Sequence, residues 1–497
     1  MDTRSDPPAL RPPDSIADLA RERFGITYLF PLQRFVVANV LEGCPQIVVM
    51  PTGAGKSLCF QLPSLLLPHP TLVLMPLLSL MSDQLLKLRA NGLPVGCLRG
   101  GLAPEEKRRL WDGMKDGTVR LVLATPEACL APPNLAALRG CGIGHLVVDE
   151  AHCVSEWGES FRPAYREVGA LARGLDVGMV SAFTATASPR VLDRIKDLLF
   201  NGRDVRVVAG NVDRPNIWYG VFPTLSRGHA LAALARTAPK PLLVFCRTRR
   251  ATERDARSVR RFCPGIPAFF YHAGLTREER ASRESWFLSS ADGCLIATCA
   301  YGMGVDKSNV RTVVHADVPP SIEAYLQESG RAGRDGKPSR AILLACPDRD
   351  RSLGWIADPA AKQRLQSMLA YADAPDGCRR SALLRLIGQD AAACTGCDVC
   401  DGTARPLPDG ENLIIQFARG NPRRFTPAQA ARILSGTDGA AARRGFHDCM
   451  PGFGSLEGWD PEHAQEAITA LVDGGALRIP RHGPWKGRVA PVRRERV

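Results

Sequence analysis

The sequence contains no apolar run approaching eighteen residues, which excludes a transmembrane helix. Its opening stretch, M-D-T-R-S-D-P-P-A-L-R-P-P-D, lacks the apolar core of a secretory signal. A soluble, intracellular protein with no membrane partner is expected. No segment recurs at a period of 20 to 50 residues, which removes solenoids and propellers. Acidic residues are in deficit, 51 against 64 basic ones, and the net charge of +13 favours a polyanionic partner without choosing one. Lysine is sparse beside arginine, but arginine is spread over the whole chain, a pattern that genome base composition explains before function does. The 16 cysteines do not form the framework of a small secreted domain: most stand singly in apolar contexts, as Cys59, Cys246 and Cys346 do, and read as reduced core thiols.

What is present is organised. Residues 1–14 are Pro-rich and polar and read as a disordered tail. From about 15 to 206, apolar runs at 47–50, 71–75, 121–124, 146–148 and 179–183 alternate with longer amphipathic segments, the pattern of a parallel sheet covered by helices. A second such series, over 207–347, has runs at 242–245, 268–271, 294–298, 310–315 and 341–344. Beyond it the rhythm stops. Residues 348–405 combine helical spacing with Cys378, Cys394, Cys397 and Cys400, and C-x₁₅-C-x₂-C-x₂-C supplies four soft ligands for a closed tetrahedral site, hence a structural Zn²⁺ rather than a catalytic one. The apolar spacing over 380–387 would pack this module on the second lobe. Residues 406–497 show helical patterns at 427–434 and 461–473, then a candidate hairpin, A-L-R-I-P-R-H-G-P-W-K-G-R-V-A, and a basic tail, which suggests a winged-helix-like domain.

The chemistry sits at strand ends. Met50-Pro51-Thr52-Gly53-Ala54-Gly55-Lys56-Ser57 follows the run I-V-V-M: small residues let backbone N–H groups turn toward a phosphate, Lys56 reaches the β/γ oxygens and Ser57 can bind Mg²⁺. A strict phosphate-loop pattern has Gly where Met50 stands, but the part that must approach phosphate is complete. Asp149 and Glu150 end a second buried run, at the sheet edge where ligands of open α/β folds collect. Asp149 would hold the metal and Glu150 would orient the attacking water. His152 is either a satisfied structural histidine or a coupling residue between the lobes. The following stretch, C-V-S-E-W-G-E-S-F-R-P-A-Y, offers Trp157, Phe161 and Tyr165 as faces on which bases could stack. Read alone, it is also compatible with an acidic helix cap and core aromatics. In the second lobe, glycines surround Arg331 and Arg334 in Q-E-S-G-R-A-G-R-D-G, three apart on an expected helix start. Both could reach one anion, with Arg334 stabilising the transferring phosphoryl group and Arg331 in support, or they could form a solvent-facing basic helix end.

Together, M-P-T-G-A-G-K-S, D-E-A-H, F-T-A-T-A (183–187), Y-H-A-G-L (271–275), A-T-C-A-Y-G-M-G-V-D-K (297–307) and Q-E-S-G-R-A-G-R-D-G resemble the ordered motifs of a DExH-box helicase. The extension after D-E-A-H, the D-R-P-N at 213–216 and the four-cysteine pattern narrow the resemblance to the RecQ family. It implies two tandem RecA-like lobes followed by a helical zinc module and a winged-helix-like domain. It implies an ATP-dependent DNA helicase that moves 3′ to 5′ on single strands and unwinds duplex or forked DNA in recombination and repair, with ATP, Mg²⁺ and Zn²⁺ as cofactors. Residue by residue, it assigns adenine reading to Gln33, phosphate contacts to Thr52, Gly53, Ala54, Gly55, Lys56 and Ser57, metal binding to Ser57 and Asp149, and coupling of DNA contact to hydrolysis to Trp157, Phe161 and Arg162. Phe30 and Leu32 stand where the family has Arg and Gly, implying weaker nucleotide binding. Glu156 and Glu159 replace common Gln and His in the coupling loop, implying altered coupling.

In the last domain, Arg423, Arg424, Arg443 and Arg444 could track duplex phosphates, and His482 to Trp485 could form a hairpin tip at the fork, or a charged surface with an exposed Trp. No sequence remains for the further C-terminal nucleic-acid module of many relatives, which implies a simpler substrate preference. The implied setting is the bacterial cytoplasm, at the nucleoid, with single-stranded and forked DNA as partners and single-strand DNA-binding protein reaching the C-terminal domain. A different class of function stays open: an ATP-gated DNA-binding or strand-annealing factor with weak unwinding. RNA unwinding would share the lobe motifs but leave the zinc module unexplained.

Overall fold

The computed structural model describes residues 14–51, 53–76, 78–156, 163–203, 205–301, 307–347, 350–374, 376–390, 393–437 and 450–492. The tail over 1–13 lies outside them. The chain divides into two compact units, Met1–Asp213 and Arg214–Val497.

In the first unit, β1 (Gln46–Val49), β2 (Thr71–Leu74), β3 (Val95–Leu98), β4 (Leu121–Ala124), β5 (His145–Val148), β6 (Met179–Thr184) and β7 (Arg206–Ala209) form one sheet in the order β3-β4-β2-β5-β6-β1-β7, parallel throughout. Most of these strands are buried on both faces, so they read as unbroken aliphatic runs rather than as alternation. Val48, Val73, Leu123, Val147 and Phe183 build the core on one face, with Phe60 edge-on to Phe183 at 5.3 Å. β3 and β7 carried no readable signal: V-G-C-L is interrupted by Gly96, and R-V-V-A is an edge strand with one buried residue.

In the second unit, β8 (Ile217–Pro223), β9 (Leu242–Phe245), β10 (Ala268–Tyr271), β11 (Cys294–Ala297), β12 (Thr312–His315) and β13 (Ser339–Ala345) are ordered β10-β11-β9-β12-β13-β8, again all parallel. The zinc module follows, with helices Pro359–Asp373 and Arg379–Leu386. Leu383 and Leu384 of the second helix are buried, as the apolar spacing predicts, but the largest fully buried side chain among the described residues of the module is Arg380. Its guanidinium lies 5.2 Å from the Tyr219 ring and donates to two backbone carbonyls, which is how a charge is accommodated there. The final region has helices Glu411–Gly420, Pro427–Leu434 and Pro461–Asp473, sharing a core of Ile414, Phe417, Ile433, Leu434, Ile468 and Leu471. A short antiparallel pair, β14 (Leu477–Arg478) and β15 (Ala490–Pro491), completes a winged-helix-like arrangement.

Candidate nucleotide and zinc sites

The phosphate loop begins where β1 ends. Met50 N–H donates to the Thr184 carbonyl at 3.0 Å, so the chain leaves the sheet still tied to β6. Gly53 and Gly55 take φ of +85° and +75°, and a Cβ on Gly55 would come within 2.5 Å of Gln33 Nε2. Gln33 is buried in the helix Pro31–Leu41; its Oε1 accepts from Phe30 N–H at 2.9 Å and its Nε2 donates to the Ala54 carbonyl at 3.0 Å. The amide thus braces the loop through backbone partners. Ser57 leads into the helix Leu58–Ser64, and its Oγ accepts from Gln84 Nε2 at 3.3 Å. Gln84 belongs to the helix Leu78–Ala90, and no local motif marks it. Thr52 lies outside the described residues.

Two strands away, at the same sheet edge, β5 delivers Asp149 and Glu150. Lys56 Nζ lies 3.7 Å from Glu150 Oε2, with both side chains mostly buried. Glu150 has φ of +49°, a left-handed conformation costly for a residue with a Cβ, and its N–H donates to Asp149 Oδ1 at 3.0 Å. Burial, with the Glu150 carboxylate alongside, pushes the Asp149 carboxyl up to about 6. His152 Nδ1 sits 3.5 Å from Glu150 Oε2 and 3.0 Å from Thr184 Oγ1, and Thr184 donates onward to the Thr186 carbonyl at 2.9 Å. His152 is therefore a buried connector between the D-E-A-H box and the F-T-A-T-A segment.

Trp157, Phe161 and Arg162, on which the coupling role is expected, and Glu159 lie outside the described residues; Glu156 closes the short helix His152–Glu156. Tyr165 corrects an expectation. It is fully buried in the turn Pro163–Tyr165, which packs on the helix Pro126–Leu130, so it is a core side chain and not a stacking face.

Arg331 and Arg334 also sit differently from the expected helix start. They follow the end of the helix Ile322–Ser329, in a turn where Gly333 takes φ of +54°. The turn is pinned by Gly333 N–H to the Val310 carbonyl at 2.8 Å, by Asp335 N–H to the Ser308 carbonyl at 3.2 Å and by the Arg311–Asp335 ion pair. Arg331 is buried.

The sulfurs of Cys378, Cys394, Cys397 and Cys400 all lie within 4.8 Å of one another. The first three accept backbone N–H bonds at 3.4 Å from Ser381, Gly396 and Cys400, which suit thiolate character. Four convergent sulfurs fit a tetrahedral zinc ion. No described cysteine is in a disulfide, and burial pushes Cys59 and Cys294 up to about 12, out of the reactive range. In the last region, Arg423 N–H donates to the Val489 carbonyl at 2.9 Å, and the turns between β14 and β15 present Trp485 at 46 % exposure. Arg443 and Arg444 lie outside the described residues.

The chain matches three family models: DEAD/DEAH box helicase over residues 30–195, helicase conserved C-terminal domain over 227–336, and RecQ zinc-binding over 356–401. It is 32 % identical over 477 residues to the ATP-dependent DNA helicase RecQ of Pasteurella multocida, covering 93 % of this chain and 74 % of that protein. The ATP-dependent DNA helicase RecQ of Haemophilus influenzae is 35 % identical over 463 residues, covering 90 % and 73 %. Among solved structures, the DUF1998 helicase MrfA bound to DNA shares the fold with a TM-score of 0.56 at 18 % identity, over 98 % of this chain and 63 % of that one. No described helix is long and apolar enough to cross a membrane. With two helicase lobes, a RecQ zinc-binding module on the converging cysteines and RecQ relatives matched over nearly its whole length, the chain belongs to the RecQ family of ATP-dependent DNA helicases.

Proposed function

We propose that the protein translocates 3′ to 5′ on single-stranded DNA and separates duplex or forked DNA in recombination and repair, in the bacterial cytoplasm at the nucleoid. The observation that carries this is the buried chain Lys56–Glu150–His152–Thr184, which links the phosphate loop to the segment leading into Trp157. A motor needs such a route if DNA contact is to alter hydrolysis, since the two events occur on different residues. In this reading Gly53, Ala54, Gly55 and Thr52 cradle phosphates, Gln33 serves the adenine side and Lys56 neutralises the β/γ oxygens. Ser57 and Asp149 would hold Mg²⁺; the buried Asp149 carboxyl suits a cation that stabilises its charged form. Mg²⁺ would neutralise charge on the phosphoryl oxygens. Glu150 orients the attacking water, and Arg334 stabilises the transferring group with Arg331 in support. Cys378, Cys394, Cys397 and Cys400 hold the structural Zn²⁺. Trp157, Phe161 and Arg162 report bound DNA.

The same reading divides the chain into lobes over 15–206 and 207–347, a zinc module over 348–405 and a winged-helix-like domain over 406–497, with single-strand DNA-binding protein reaching the last. Glu156 and Glu159 favour a second reading, an ATP-gated DNA-binding or strand-annealing factor that hardly unwinds. Forked duplexes with 3′ or 5′ tails decide between them. ATP-dependent separation confined to 3′-tailed substrates is expected; DNA-stimulated hydrolysis without separation would overturn the motor reading.

A further inference from the structure

Arg214 opens the second unit in the D-R-P-N segment and has no role in the sites above. Its guanidinium donates to three carbonyls in succession: Gly330 at 3.0 Å, Ala332 at 3.2 Å and Gly333 at 2.8 Å. These carbonyls interleave with the two arginines of the turn. Arg331 stands between the first and second, and Arg334 follows the third. Asn216 adds bonds to the carbonyls of Gly333 at 2.9 Å and Lys337 at 3.0 Å. A guanidinium is a rigid, planar set of donors, so three carbonyls on one fork fix the direction in which the chain leaves the helix Ile322–Ser329. Gly333 is needed for the same packing. Its φ is left-handed, and a Cβ there would lie 2.5 Å from both Asn216 Nδ2 and Ser339 Oγ.

Arg214 is itself held from behind. Arg380 of the zinc module donates to the Arg214 carbonyl at 3.1 Å and to that of Ile217, and Thr395 Oγ1, one residue after Cys394, donates to the Pro215 carbonyl at 2.7 Å. Arg379 bonds Asp398 at 3.1 Å, and Asp398 in turn accepts from Val221 N–H of β8 at 2.9 Å. The cysteine loop is thereby fastened along the segment that begins with Arg214.

We propose that Arg214 is a positioning residue for ATP hydrolysis: it sets the turn that carries Arg331 and Arg334, and the zinc module sets Arg214. The inference rests on reading Arg334 as the arginine that meets the transferring phosphoryl group. Small displacements of such a group are expensive, because stabilisation of a developing charge depends on preorganised geometry.

The test uses the full chain with saturating single-stranded DNA. Arg214→Met should lower kcat for ATP by about 10- to 100-fold, the cost of a misplacement near 1 Å. KM for ATP and DNA affinity should stay within about twofold, because uniform binding is untouched. Arg214→Lys should recover part of the loss. In an Arg334→Ala background, Arg214→Met should slow turnover no further, since one acts through the other. A wild-type kcat in Arg214→Met, or losses that multiply in the double variant, would overturn the proposal. If Arg214→Met loses its zinc or its cooperative thermal transition, Asn216→Ala replaces it: a smaller loss confined to kcat supports the proposal and a wild-type kcat overturns it. Arg334→Ala with wild-type kcat would refute the underlying arginine reading instead.

Discussion

Lys56 and Glu150 face each other at 3.7 Å at the edge of the first sheet, both side chains mostly buried. In the proposed mechanism, a phosphate that takes Lys56 would draw it away from Glu150 and free that carboxylate for water, so that nucleotide binding and release of the proposed water-orienting group would be one event.

Lys56→Ala should therefore remove more than a phosphate contact, because it also leaves Glu150 without its cationic neighbour. DNA-stimulated ATP turnover should fall by about 1,000-fold, in the range expected when a charge on transferring phosphates is deleted. Steady-state hydrolysis measures it, and retained stimulated turnover would refute the site assignment.

Trp157→Ala should spare turnover without DNA and blunt its stimulation by single strands. Base stacking contributes about 1–3 kcal/mol per base, so a loss of tenfold or so in stimulation is the expected scale. Stimulation equal to that of the parent protein would count against a coupling role.

Zinc removal should act through β8. The cysteine loop supplies Asp398 to β8 and Asp401 to Trp218 Nε1 at 2.7 Å, and both anchors depend on the fold the ion holds. Metal analysis should find one zinc per chain. Cys397→Ser or a strong chelator should lower the thermal transition by roughly 4–8 °C, corresponding to ~2 kcal/mol in a domain of this size. An unchanged transition with zinc absent would show the ion to be dispensable.

Acidification should destabilise the protein through buried histidines. Burial lowers His145 to about 3 and His229, stacked on Trp459 at 3.7 Å, to about 4. In the unfolded chain both titrate near ~6.5. The unfolded state then binds more protons below that value, so their contribution is full above it and is lost as pH falls toward about 4 for His229 and about 3 for His145. Thermal transitions recorded from pH 7 to pH 5 should fall, and His145→Gln with His229→Gln should flatten the slope. A slope identical to that of the parent would exclude these groups as the cause.

The parts of the site that were legible in the sequence are those whose chemistry is contiguous. Gly53 to Ser57 and Asp149-Glu150 each place their groups within a few residues, the cysteines stand in the pattern C-x₁₅-C-x₂-C-x₂-C, and doubly buried strands announce themselves as aliphatic runs. β3, β7 and β8 escaped because glycine, edge exposure or mixed aromatics blur that run. Tyr165 misled because an aromatic in a loop can face inward as readily as outward, and burial is a property of the packed chain. The two arginines of the second lobe were found, but not their placement after a helix end.

The two-lobe plan, the phosphate loop, the acidic box and the four-cysteine pattern follow from local residue order. That Gln84 reaches Ser57, that Thr184 receives His152, and that Arg214 holds the carbonyls around Arg331 and Arg334 is set in the folded chain. The reason is physical: backbone groups are spaced by local geometry, whereas a side chain's hydrogen-bond partner is whatever the folded chain brings within 3 Å or so, and that choice is made by packing over long sequence separations.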